Sequence, residues 1–123
     1  MSRPVLVVDD SVDNADSLTW LLQLTGHEVL TAYDAATALE MARQRCPRVV
    51  LLDLAMPRMS GLELARQLRR ERGMEKALLI AVSGYGMQED RQRSLGAGCD
   101  AHLVKPLDVA ALEGLLTAPC EIC

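Results

Sequence analysis

Phenylalanine is absent from the chain, and Trp20, Tyr33 and Tyr85 are its only aromatic residues. Half of all residues are nonetheless hydrophobic, so the interior has to be built from aliphatic side chains. Excess positive charge is missing too. Thirteen Lys and Arg face 17 Asp and Glu, a net charge of −4, and this argues against a nucleic-acid surface. The arginines at 66, 69, 70 and 72 share one predicted helix with Glu63 and Glu71, which reads as a solvated face. No apolar run approaches a membrane span, and the first one, Val5 to Val8, meets two aspartates before it can serve as a secretion signal. The cysteines, Cys46, Cys99, Cys120 and Cys123, lack a disulfide-framework spacing and predict a reduced, cytoplasmic chain. Cys120 and Cys123 are spaced C-x-x-C. One such pair cannot fill a tetrahedral zinc site, and no helix start follows it, so it reads as an inert tail.

What the chain does have is a series of short aliphatic runs that end in polar residues. The one that organises the rest is VVLLDLAMP at 49–57. Four uninterrupted Val and Leu residues predict a strand buried on both faces, as in a parallel sheet under helices. Asp53 then falls at the carboxyl end of the strand, where open α/β sheets place their ligands.

In chain order, residues 4–8 form a buried strand ending in Asp9-Asp10. Residues 13–25 are helical, with apolar positions 15, 18, 21, 22 and 24 and a stop at Gly26. Residues 28–32 alternate, as a less buried strand does. Asp34 caps a helix through Arg45 with 35, 38, 39 and 42 on one face. After the organising strand, Ser60-Gly-Leu-Glu63 is a capping box for a helix that Gly73 closes. Residues 77–82 are a further apolar strand, running into Ser83. Residues 87–97 read as a thinly apolar helix, 101–104 as the last strand, leading into Lys105-Pro106, and Asp108 caps a final helix through about Leu116.

Five strands alternating with five helices predict one α/β domain over 1–123, with a core of about 4–117 and a tail at 118–123. The sheet is parallel and doubly wound, flavodoxin-like in the order 2-1-3-4-5, with helices on both faces. The most continuously apolar strands, one, three and four, take the middle, while strands two and five take the edges. The switch point between strands one and three then brings Asp9, Asp10 and Asp53 to one crevice.

Clustered carboxylates repel, and a cation relieves them. Oxygen donors without His or Cys suit a hard ion, and Mg²⁺, which keeps several waters, needs only one or two carboxylates. Ser83 brings a hydroxyl to the same rim and Lys105 an ammonium. A carboxylate nucleophile, a metal, a hydroxyl and an ammonium together form a kit for holding a phosphoryl group. Taken singly, Ser83 fits an ordinary turn and Lys105 an ordinary surface lysine.

The motifs VLVVDDS at 5–11, VVLLDLAMPRMSGLE at 49–63, AVSGYG at 81–86 and HLVKPLD at 102–108 resemble the receiver domain of two-component response regulators over about Val5 to Leu116. The resemblance implies a phosphorelay protein that takes a phosphoryl group from a histidine kinase or a histidine phosphotransfer domain onto Asp53. It then switches conformation to signal to a downstream protein or a fused output segment. Asp9, Asp10, Asp53 and the backbone carbonyl of Ala55 would hold Mg²⁺, with Mn²⁺ as a substitute. Ser83 would bond the phosphoryl group, Lys105 would pair with it, and the Lys105–Pro106 peptide would be cis. The switch aromatic of the family is replaced by His102, which fits either a switch role or an exposed histidine on an edge strand. The resemblance implies no separate substrate turnover beyond the domain's own aspartyl phosphorylation and dephosphorylation. It also implies no nucleic-acid or membrane partner, and a monomer or weak homodimer. Segment 83–106 is closer to receivers of hybrid histidine kinases or stand-alone receivers than to those joined to DNA-binding domains.

Three other readings fit less well. A haloacid-dehalogenase-like phosphatase needs an Asp two residues after its nucleophile, where this chain has Ala55 or Ser11. A pseudo-receiver would lack part of the acid, hydroxyl and lysine set. A nucleotide-binding flavodoxin-like domain would show a G-x-G-x-x-G or P-loop, and neither occurs.

Overall fold

Each aliphatic run becomes a strand: β1 (Val5–Val8), β2 (Val29–Ala32), β3 (Val49–Asp53), β4 (Leu78–Ser83) and β5 (Ala101–Val104). The computed structural model describes residues 4–53, 61–83, 99–104 and 109–117, and in it the strands form one parallel sheet in the order β2-β1-β3-β4-β5. The helices are α1 (Val12–Leu24), α2 (Ala35–Arg45), α3 (Gly61–Arg70) and α4 (Val109–Thr117). The architecture and strand order match the sequence reading, and boundaries differ by a residue or so at several ends. The predicted helix at 87–97 lies outside the described residues. None of the described helices is long and apolar enough to cross a membrane.

Strand parity sorts the core into two layers. Leu6, Val8, Val50, Leu52, Leu79 and Ala81 pack with Ala35, Ala38, Leu39 and Ala42 of α2 and Leu64, Ala65 and Leu68 of α3. Val5, Val7, Val49, Leu51 and Ile80 pack with Ala15 and Leu22 of α1 and Leu112 and Leu116 of α4. The crossover rule accounts for the division. The step β1→β2 runs one way across the sheet while β2→β3 and β3→β4 run the other. Right-handed connections therefore put α1 on one face and α2 and α3 on the opposite one.

Local chemistry sets the helix ends. The Asp34 side chain accepts a hydrogen bond from the Thr37 amide at 2.7 Å, and Ser11 caps α1 in the same way toward Asn14. Gly26 and Gly73 hold φ of +95° and +91°, values that an L side chain adopts only with strain. Gly73 has a second constraint, since a Cβ there would lie 2.9 Å from Cys46 Sγ.

Two expectations need correction. Leu24 does not join the core and is 63% exposed. The buried stripe runs through Ala15, Leu18 and Leu22, and two residues past Leu22 is 200° around the helix. Arg69 is not simply solvated with its neighbours. Its guanidinium donates to the carbonyls of Met74, Glu75 and Ala77 and to the Asp100 carboxylate, fastening the end of α3 to the starts of β4 and β5.

Candidate functional site

A parallel sheet brings every strand's carboxyl end to one edge, and here that edge carries acid. Val8 stands level with Leu52, so Asp9, one step on, stands level with Asp53 in the neighbouring strand. The Asp9 amide still bonds the Ala32 carbonyl of β2 at 3.1 Å, which holds its backbone in the extended ladder. Asp10 begins the turn into α1. One carboxylate oxygen from each of Asp9, Asp10 and Asp53 lies within 4.8 Å of the others. Asp9 and Asp53 are only 7% and 6% exposed, and Asp10 faces solvent.

Asp9 is oriented locally, its Oδ1 accepting from the Ser11 amide at 2.9 Å. Ser11 also caps α1, so one residue aims the carboxylate and starts the helix. Sequence reasoning passed over this double role, although a Ser directly before a helix is a cap signal. The amino-terminal end of α1 adds its partial positive charge beside the acids. That charge offsets part of the repulsion among the carboxylates. Three convergent oxygen donors, two of them buried, with no nitrogen or sulfur among them, fit a hard divalent cation.

The other anticipated residues fall variously. Ser83 ends β4, one step beyond Val82, which is level with Asp53. Its backbone is thus on the same edge as the acids. Ala55, Lys105 and Pro106 lie outside the described residues. His102 sits within β5, half-buried and level with Ala81. Its strand neighbours Ala101 and Leu103 pack in the α1 and α4 layer, which puts His102 on the α2 and α3 side of the sheet edge. It is a polar residue on an edge strand, half-buried rather than exposed.

Comparison with known proteins extends this picture. The Response regulator receiver domain family matches residues 5–117. The Polar-differentiation response regulator DivK of Brucella ovis is 30% identical over 109 residues, covering 89% of each chain. The receiver domain of sensor histidine kinase PA1611 from Pseudomonas aeruginosa PAO1, with a magnesium ion coordinated in its active-site cleft, superposes with a TM-score of 0.84 at 26% identity, covering 94% of this chain and 95% of that one. A chain of the co-crystal structure of the Saccharomyces cerevisiae histidine phosphotransfer signaling protein Ypd1 with the receiver domain of its response regulator Ssk1 gives the same TM-score at 25% identity, over 94% of this chain and 87% of that one. Taken with the strand order and the carboxylate edge, the match from Val5 to Thr117 means that this chain belongs to the response regulator receiver domain family of two-component signalling.

Proposed function

We propose that Asp53 is the phosphoacceptor of a two-component phosphorelay. The observation that carries this is a buried carboxylate at the end of a central strand, within 4.8 Å of two more from the adjacent strand's end. In the transfer, an Asp53 carboxylate oxygen forms a bond to phosphorus as the donor histidine's N–P bond breaks. The bonding electron pair returns to the imidazole nitrogen. Asp9, Asp10, Asp53 and the Ala55 carbonyl would hold Mg²⁺, with Mn²⁺ as a substitute. When bound, the ion would supply positive charge that offsets the repulsion between carboxylate and phosphoryl oxygens. With two more acids beside the acceptor, the site repels a phosphoryl anion without it. The magnesium in the active-site cleft of the PA1611 receiver supports a divalent cation at this site.

Ser83 and Lys105 take the phosphoryl oxygens, the first by hydrogen bond and the second by charge. The donor is a histidine kinase or a histidine phosphotransfer protein, a reading supported by the complex that the Ssk1 receiver forms with Ypd1. A downstream protein or fused segment reads the phosphorylated state. Asp53→Asn should abolish the base-labile adduct formed from a phosphohistidine donor and Mg²⁺. An adduct that persists in that variant, on any residue, sinks the assignment.

A further inference from the structure

The opposite pole of the sheet carries a second polar cluster that phosphoryl transfer does not use. It joins the turn after α1, the residue before β3, and α4. His27 Nδ1 lies 3.0 Å from an Arg48 guanidinium nitrogen, and His27 Nε2 lies 3.3 Å from Glu113 Oε2. The Thr25 hydroxyl sits 2.8 Å from Glu113 Oε1. Arg48 donates through its other nitrogen to the Leu116 carbonyl at 3.1 Å. The His27 side chain is only 11% exposed, so these partners stand where water otherwise would.

The contacts define where the imidazole proton is. A guanidinium has donors and no acceptor, so Nδ1 presents its lone pair to Arg48. The ring proton is therefore on Nε2, donated to Glu113. The Thr25 hydrogen bond first, then the hydrogen bond from His27 and the charge of Arg48, hold the Glu113 carboxyl below its ordinary value. Glu113 is thus held as the carboxylate that accepts from His27 Nε2. Among the described residues, the charged groups facing the ring are Arg48 from the α2–β3 connection and Glu113 from α4. Glu28, next in sequence, is engaged by Arg45 of α2.

We infer that protonation of His27 moves the anchorage of α4 from its carboxyl end to Glu113. A proton taken from solvent at Nδ1 places donor against donor and cation against cation, and the Arg48–His27 contact breaks. The displaced guanidinium loses its bond to the Leu116 carbonyl. That carbonyl belongs to the last turn of α4, where no amide of the described helix can replace Arg48. The Nε2–H···Glu113 bond survives and becomes charge-assisted on both sides. The helix is then held at Glu113 while its final turn frays, as terminal turns do at low cost. The sequence offers no sign of this device, because its members are 21 and 86 residues apart along the chain.

Nitrogen-15 and carbon-13 NMR on the whole chain tests it. At alkaline pH, His27 should show a pyridine-like Nδ1 and a protonated Nε2. On acidification, the Arg48 Nε–H and Leu116 carbonyl signals should shift with the same midpoint as the His27 ring, distinguished from His102 by assignment. In His27→Gln, whose amide can accept from Arg48 and donate to Glu113 without titrating, those shifts should vanish. The inference is overturned by an Nδ1–H tautomer, by Arg48 and Leu116 signals that stay flat through the His27 titration, or by shifts that persist in His27→Gln.

Discussion

Cys99 lies immediately before Asp100 at the entrance to β5, 5% exposed. Burial, with a smaller push from the Asp100 charge, raises its thiol from 9.0 to about 11. Two pH units below a thiol's midpoint change its thiolate fraction about a hundredfold, and the thiolate is the nucleophile. Iodoacetamide at pH 8 should therefore alkylate Cys99 about a hundredfold more slowly in the native chain than in urea, read by peptide mass spectrometry. Equal rates would mean that the residue is exposed. The same shift fixes the sign of its contribution to stability. A group whose folded value is raised contributes fully below pH 9.0 and loses that contribution as pH climbs through about 11. At this scale the sequence is unevenly legible. Asp9, Asp10 and Asp53 could be placed because each ends an aliphatic run whose direction the fold class dictates. The setting of Cys99 could not, since its burial comes from the layer formed by α2 and α3.

Among elements, α3 shows most clearly what pattern cannot convey. Its apolar stripe, Leu64, Ala65 and Leu68, is buried as helical periodicity requires. Its arginines look alike in sequence, yet Arg66 pairs with Glu63 on the surface while Arg69 reaches carbonyls five, six and eight residues on and a carboxylate 31 residues away. Asp100 completes the junction by also accepting from the Leu79 amide at 2.9 Å. Arg69→Ala should lower unfolding free energy by about 2 kcal/mol, the low end of the range for unpairing several such bonds because the guanidinium is 26% exposed. Urea denaturation monitored by circular dichroism measures it. Arg69→Lys should recover less than half, since one ammonium cannot span four acceptors. A neutral Arg69→Ala would show the junction to be ornamental. By contrast α2 could be read from its cap at Asp34 through a stripe of Ala35, Ala38, Leu39 and Ala42, because both signals are local.

For the molecule as a whole, the carboxylate edge predicts a linkage between metal and folding. An ion bound by the native site and not by the unfolded chain stabilises by about 2.7 kcal/mol at a hundredfold excess over its Kd. Mg²⁺ should therefore raise the thermal midpoint in a saturable manner, and the double variant Asp9→Asn with Asp10→Asn should lose the response. An undiminished rise in that variant would place the ion elsewhere. The topology was legible at this scale because alternating strands and helices admit few arrangements, and the edge strands declare themselves by Thr31 and His102. The aliphatic nature of β1 has one further consequence, concerning misregistration. Strands buried on a single face are indexed by alternation, since a slip of one residue exposes the wrong side chains. With Val5, Leu6, Val7 and Val8 all buried, β1 has no such index, and a slipped copy would remain apolar on both faces. The nearest polar marker on this strand is Asp9, so the residue assigned to the metal also tells β1 where to stop. Asp9→Val would lengthen the run to five and bring two alignments of β1 close in energy, visible as doubled amide signals from Val5 to Val8 and their partners in β2 and β3. A single set of signals would mean that the α1 cap at Ser11 alone keeps count.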